Sequence, residues 1–209
     1  MKEIRIGYFL EDVAHENFVK ALAKKVASEH GLTGRHQDLC VSGGSTIIGR
    51  FRAYMNDWAD NRPPSLEFDL LVIARDCNRE GCAERRKQFA ELMHERGYPP
   101  DCVCFALADP NIERWYLTDP RALTRAIGGS IEPRPLPYVP CSEDKGYYKG
   151  KLREALMENG ASFELGGAEY GRDIACHLNL DSLPDGSDDN LRDFVACLRR
   201  VAGILSRSS

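Results

Sequence analysis

Phe68-Asp69-Leu70-Leu71-Val72-Ile73-Ala74, running on into Arg75-Asp76-Cys77-Asn78, decides the fold. A strand with one wet face alternates apolar and polar residues, whereas 68–74 is nearly all apolar and predicts a strand covered on both faces, as in a parallel sheet. Upstream, Ile4-Arg5-Ile6-Gly7-Tyr8-Phe9-Leu10 is a second strand and is closed by Glu11. Downstream, Val103-Cys104-Phe105-Ala106-Leu107 is another, and a short strand falls near 36–41. Between them lie helical patterns. Phe18, Leu22 and Val26 share one face of a helix over 13–29, with Asp12 as N-cap and Gly31 as stop. Ile47, Phe51, Tyr54 and Trp58 share a face of the next, which ends before Asn61-Arg62-Pro63-Pro64. Phe89, Leu92 and Met93 point inward from a helix over 83–96. This alternation predicts an α/β fold, a parallel sheet of about four strands flanked by helices.

After residue 108 no strand pattern remains. Asp109 as N-cap and Pro110 at the first helical position start a helix with Ile112, Trp115 and Tyr116, and a further turn follows Pro120. Residues 128–146 are a proline-rich irregular connection. Helices are expected at 147–158, 172–179 and 188–205, the last capped by Ser187. The expected organisation is an α/β domain over 1–127, with 128–209 an irregular loop and a C-terminal helical extension packed on it.

Composition bounds the function. With 209 residues, 43% apolar and 29% charged, the chain can bury a core, and a net charge of -4 gives no sign of a strongly basic nucleic-acid module. A basic groove on a mildly acidic protein remains compatible with that total. The first apolar run is broken by Arg5 and ends at Glu11-Asp12, unlike a targeting peptide. No run approaches ~18 apolar residues, so no membrane span is expected and a cytoplasmic location is the default. The eight cysteines then read as reduced thiols. Cys77-x4-Cys82 with Cys102-x-Cys104 lacks the CxxC spacing of a zinc site.

All strand C-termini of a parallel sheet share one edge, so Glu11, Asp76 and Glu113 should converge there. Each alone is explained by helix capping or a turn. Together, with Asn78 two residues past Asp76, they suit a hard divalent cation such as Mg2+. His15, near Glu11, is an auxiliary candidate, although a first-turn histidine is ordinarily exposed. Ser42-Gly43-Gly44-Ser45-Thr46 follows a strand and opens a helix, where backbone N–H groups can meet phosphate, but it is neither a P-loop nor GxGxxG. Lys145, Lys149, Lys151 and Arg153 gather with Tyr147 and Tyr148, a composition that suits a phosphate backbone or a solvated helix face.

Glu11-Asp12-Val13-Ala14-His15-Glu16-Asn17-Phe18, the Gly-rich turn, Asp76-Cys77-Asn78-Arg79-Glu80-Gly81-Cys82 and Ile112-Glu113-Arg114-Trp115-Tyr116-Leu117 together resemble the TOPRIM-like domains. The nearest branch is the one found in bacterial operons beside ATPases, kin to the overcoming-lysogenization-defect nucleases. The resemblance implies a compact Rossmann-like fold, Mg2+ or Mn2+ as cofactor, and cleavage of DNA or RNA in ATPase-linked phage defence. It implies Glu11, Asp76 and Glu113 as catalytic acids, metal held by Glu11, Asp76 and Asn78, and His15 with Glu16 in auxiliary positions. Nucleic acid would meet Lys145, Lys149, Lys151, Ser42, Gly43 and Gly44. Three positions depart from the pattern: Asp12 replaces a glycine, His15 an acid, and Asn78 the second aspartate. His15 favours Mn2+ or another transition metal over Mg2+.

The expected function is therefore a metal-dependent nuclease. A catalytically degenerate domain that binds nucleic acid or a partner is the alternative, and a second copy of the chain is open as a partner. A phospho-receiver also gathers acids after its strands, but it needs a hydroxyl after the fourth strand, where Ala108-Asp109-Pro110 stands here.

Overall fold

The computed structural model describes residues 1–41, 44–61, 64–78, 80–144, 146–184 and 186–207. Four strands, β1 (Lys2–Leu10), β2 (Leu32–Cys40), β3 (Leu70–Asp76) and β4 (Val103–Ala108), form one sheet in the order β2-β1-β3-β4. Every pair is parallel, with Ile6 beside Leu70 and Leu71 beside Val103. The β1–α1–β2 and β3–α3–β4 connections leave the central pair in opposite directions, so the edge between β1 and β3 is the topological switch point of the sheet.

Among the described residues, eight α-helices cover the two faces: α1 (Val13–Glu29), α2 (Ile47–Asn61), α3 (Cys82–Arg96), α4 (Ile112–Tyr116), α5 (Pro120–Ala126), α6 (Tyr147–Glu158), α7 (Gly171–His177) and α8 (Asp189–Arg207). Alternation along the strands divides the core. Ile4, Ile6, Tyr8, Val72, Ala74, Cys104 and Ala106 meet α1, α4, α7 and α8, while Phe9, Leu71, Ile73 and Val103 meet α2 and α3. The run 70–74 is fully buried because both faces are roofed, which is why it lacks alternation. Gly7 lets Phe68 and Leu71 close over β1, since a Cβ there would lie 3.0 Å from both side chains.

Residues beyond 128 join the same core: Tyr148, Leu152, Ile174, Phe194 and Leu198 pack with α1 and β4. Asp188 ties α8 down. It is 2% exposed, and it accepts from the Asp109 N–H (2.9 Å), the Trp115 Nε1–H (2.7 Å) and the Asn190 N–H (3.0 Å). Asp188 thus serves the end of α8 expected of Ser187, whose hydroxyl instead donates to Pro184 O. A second boundary is also corrected. Asp109-Pro110 is a cis peptide ahead of the helix, and Asn111 is the N-cap of α4. With its carboxylate drawn toward Tyr138, whose hydroxyl donates to Oδ2, Asp109 has no cap to make.

The expectation of eight free thiols does not hold. Cys77–Cys82 and Cys104–Cys197 are disulfides, with Cα separations of 4.9 and 5.7 Å, and the free cysteines are Cys40, Cys102, Cys141 and Cys176. The first pair closes the β3–α3 turn, and the second joins β4 to α8 across 93 residues of sequence, a proximity that spacing cannot reveal. No helix among the described residues is long and apolar enough to cross a membrane.

Candidate metal centre

Glu11 and Asp76 leave the C-terminal ends of β1 and β3, neighbours in the sheet, and so meet at the switch point. The Asp76 N–H donates to Glu11 Oε2 (2.7 Å), and the Ile112 N–H donates to Asp76 Oδ1 (2.8 Å), which brings the start of α4 to the same place. The third member comes from the first turn of α1. Asp12 caps that helix by accepting the His15 N–H on Oδ1 (3.0 Å), and His15 Nδ1 lies 2.8 Å from the same oxygen. Tyr116 fixes the turn from above, its hydroxyl donating to Ala14 O (2.8 Å). These constraints bury His15 completely, contrary to the exposure its position implies. Its Nε2 lies 3.2 Å from Asp76 Oδ1 and makes no hydrogen bond among the described residues.

One ligand atom from each of Glu11, His15 and Asp76 lies within 4.8 Å of the others. Two carboxylates and a neutral imidazole are a donor set for a divalent first-row ion. The contact of Asp12 with Nδ1 orients Nε2 inward, the arrangement that metal-ligating histidines use. Electrostatics record the crowding. Burial and the Asp76 charge hold the Glu11 carboxyl above its usual range, against the pull of the Asp76 N–H, His15 and Arg75. For His15, burial works downward, but Asp76 and Asp12 outweigh it and push the imidazole up to about 10. Asp12 moves the other way, to about 2, because its bonds to His15 overcome the effect of burial.

Glu113 lies beside this cluster, 8% exposed, with Oε2 unpartnered and Oε1 3.6 Å from Lys149 Nζ. Burial raises its carboxyl; Lys149 lowers it in part and Asp76 raises it further. Asp12, Glu113, Lys149 and Arg153 line a cleft of about 570 Å3 whose other wall carries Phe163. Lys149 is thus at the cluster's mouth. Lys151 is not: it pairs with Glu154 (2.6 Å) and lines a different groove with Glu132 and Arg134.

The remaining candidates fall elsewhere. Glu16 pairs with Lys20 (2.8 Å), which also binds Asp38 of β2, and the acid–histidine cluster does not include it. Asn78 has a left-handed backbone, φ 50°, and its N–H donates to Pro110 O (2.9 Å). Asparagine tolerates that conformation better than most residues, which gives its presence a reason in the backbone. The Gly44 N–H donates to Glu11 O (2.9 Å) and is spent there. Ser42, Gly43 and Lys145 lie outside the described residues.

Arg75 escaped the sequence reading. It is 6% exposed and its Nε lies 4.0 Å from Glu11 Oε1. A charged residue between Ala74 and Asp76 in an apolar strand was the available signal. Comparisons of this chain with family models, with curated proteins and with solved structures return no match.

Proposed function

We propose that this chain is a metal-dependent nuclease, hydrolysing phosphodiesters of DNA or RNA with Mn2+ or Mg2+. One observation supports the reading: two strand-end carboxylates and a fully buried imidazole, whose inward nitrogen makes no hydrogen bond among the described residues, meet at the switch point of a parallel sheet. The fit favours Mn2+, because an imidazole stands among the oxygens. When bound, the ion would polarise a phosphoryl oxygen and acidify a water. Glu11, His15 and Asp76 would hold it, and Asp12 would keep the His15 ring in register. Glu113, raised by its buried setting and neighboured by Lys149, is suited to hold a proton and deliver it to the leaving oxygen. The cleft along Lys149 and Arg153 would seat the strand. The TOPRIM resemblance supports the same chemistry and adds a cytoplasmic role in phage defence, with an ATPase as partner.

The His15 proton favours a second reading. An imidazolium between Asp12 and Asp76 already supplies a positive charge, as a degenerate domain that binds nucleic acid or a partner without cleavage would need. Incubation of purified protein with supercoiled plasmid, single-stranded DNA and RNA, with Mn2+ or Mg2+, separates the two. Cleavage should appear, stop in EDTA, and fall at least ~100-fold in both Glu11→Gln and Asp76→Asn, with circular dichroism unchanged. Activity that persists in EDTA or in either variant would overturn the metal mechanism, and no cleavage with no metal-induced rise in melting temperature favours the binding reading.

A further inference from the structure

On the sheet face opposite α1, a cavity of about 680 Å3 opens between α2, α3 and the end of β3. Arg75 and Arg85 line it, 6% and 9% exposed. Among the described residues, Arg75 Nε and Nη1 have no hydrogen-bond partner, and neither has Arg85 Nε. Arg85 Nη1 meets Glu80 (2.6 Å), whereas the carboxylate nearest Arg75 that forms an ion pair with it is Glu11, at 4.0 Å. Arg52 of α2 and Arg96 of α3 add two more guanidinium groups to the lining. The other acids there are Glu91, which pairs with Lys87 (3.8 Å), and Glu95.

A guanidinium taken out of water with its donors unused is costly, and native proteins rarely leave such groups unpaired. Its planar fork matches an oxyanion, which accepts two parallel N–H bonds at once. Hydrophobic filling would be the cheaper way to close this space, yet β3 places a cation in it immediately before Asp76. The helix that supplies Arg52 is the one opened by the Gly-rich turn.

We propose that this cavity binds the phosphate group of a ligand through Arg75 and Arg85. Resting on the nuclease reading, that ligand is a nucleic-acid strand, with the bound phosphate neighbouring the one presented to Glu11, His15 and Asp76. Arg75, lying against Glu11, is then the residue that couples strand position to the metal centre.

Thermal melting in EDTA, with inorganic phosphate against chloride at equal ionic strength, tests the anion site without metal or cleavage. Phosphate should raise the wild-type melting temperature saturably, by about 2–4 °C, and should leave Arg75→Met unmoved. Without phosphate, Arg75→Met should melt no lower than wild type, because it removes a buried guanidinium whose Nε and Nη1 make no hydrogen bond among the described residues and whose ion pair with Glu11 is long, at 4.0 Å. A lower phosphate-free melting temperature in that variant, or no wild-type rise, overturns the site. Fluorescence anisotropy with a labelled single-stranded oligonucleotide separates the sources. About tenfold weaker binding in Arg75→Met assigns the strand phosphate, while unchanged binding alongside a lost phosphate response overturns that assignment in favour of a free anion. A plasmid left intact by every metal, with the phosphate response present, overturns the hydrolase reading and upholds the anion site.

Discussion

Between Asp12 and Asp76 the imidazole of His15 holds a proton that a metal ion would have to displace, so ion binding at this centre is an exchange. The sign of the pH dependence follows. His15 is raised from 6.5 to about 10, so its contribution to metal-free stability is full below pH 6.5 and is lost as pH rises through about 10. Asp12 is lowered from 3.8 to about 2, so its share of the same contact is present above pH 3.8 and is lost as pH falls through about 2. In EDTA the melting temperature should therefore fall from pH 7 to 10 by the equivalent of a few kcal/mol, and His15→Gln should remove most of that slope. A wild-type profile that parallels the variant's would show that His15 carries no proton at neutral pH. Asn78 makes the complementary point. A sequence reads its amide as a ligand because it stands two residues from Asp76, whereas its left-handed φ of 50° gives a local reason for the same residue type.

Helix α6 carries a residue that its own packing does not require. Gly150 lines the cleft beside Lys149 and Glu113, a Cβ built on it meets nothing within 4 Å, and glycine weakens a helix. Gly150→Ala should accordingly stabilise the protein by about 0.5–1 kcal/mol, read by chemical denaturation. Gly150→Leu should keep the fold and fill the cleft, lowering single-strand affinity about tenfold; full affinity in a well-folded Gly150→Leu would remove this cleft from the strand's path. Boundaries at this scale were largely legible: 13–29 and 147–158 match α1 and α6, and the last helix starts within a residue of its expected place. The start of α4 was not. Asp109-Pro110 has the composition of a helix entry, but the buried Asp188 claims the Asp109 N–H, and the chain bends through a cis peptide before Asn111 opens the helix.

Across the whole molecule, apolar runs and their spacing were enough to give a four-stranded parallel sheet with helices on both faces, because a strand buried on two sides needs an unbroken apolar run. Two of the three clustered ligands were legible for the same reason, standing where such runs end. His15 was read as an auxiliary candidate, but its complete burial between Asp12 and Asp76 was not legible, nor were Arg75 and the disulfides, since each depends on what another element brings to it. Cys104–Cys197 links β4 to α8, and on the chain-entropy argument its loss should cost about 2–4 kcal/mol. Cys197→Ser under oxidising conditions, and wild type in reducing agent, should both melt lower than oxidised wild type. Equal melting temperatures, with all thiols titratable in the native protein, would show that the bond does not form. Asp188 has a consequence of another kind. It grips Asp109 and Trp115, Asn111 opens the helix between them, and the first N–H of that helix is bonded to Asp76. A ribosome releases β1 and β3 long before it releases Asp188 and α8. The acids therefore exist on the nascent chain before the frame that aims them, so that a half-made chain carries the acids of the candidate centre without its geometry.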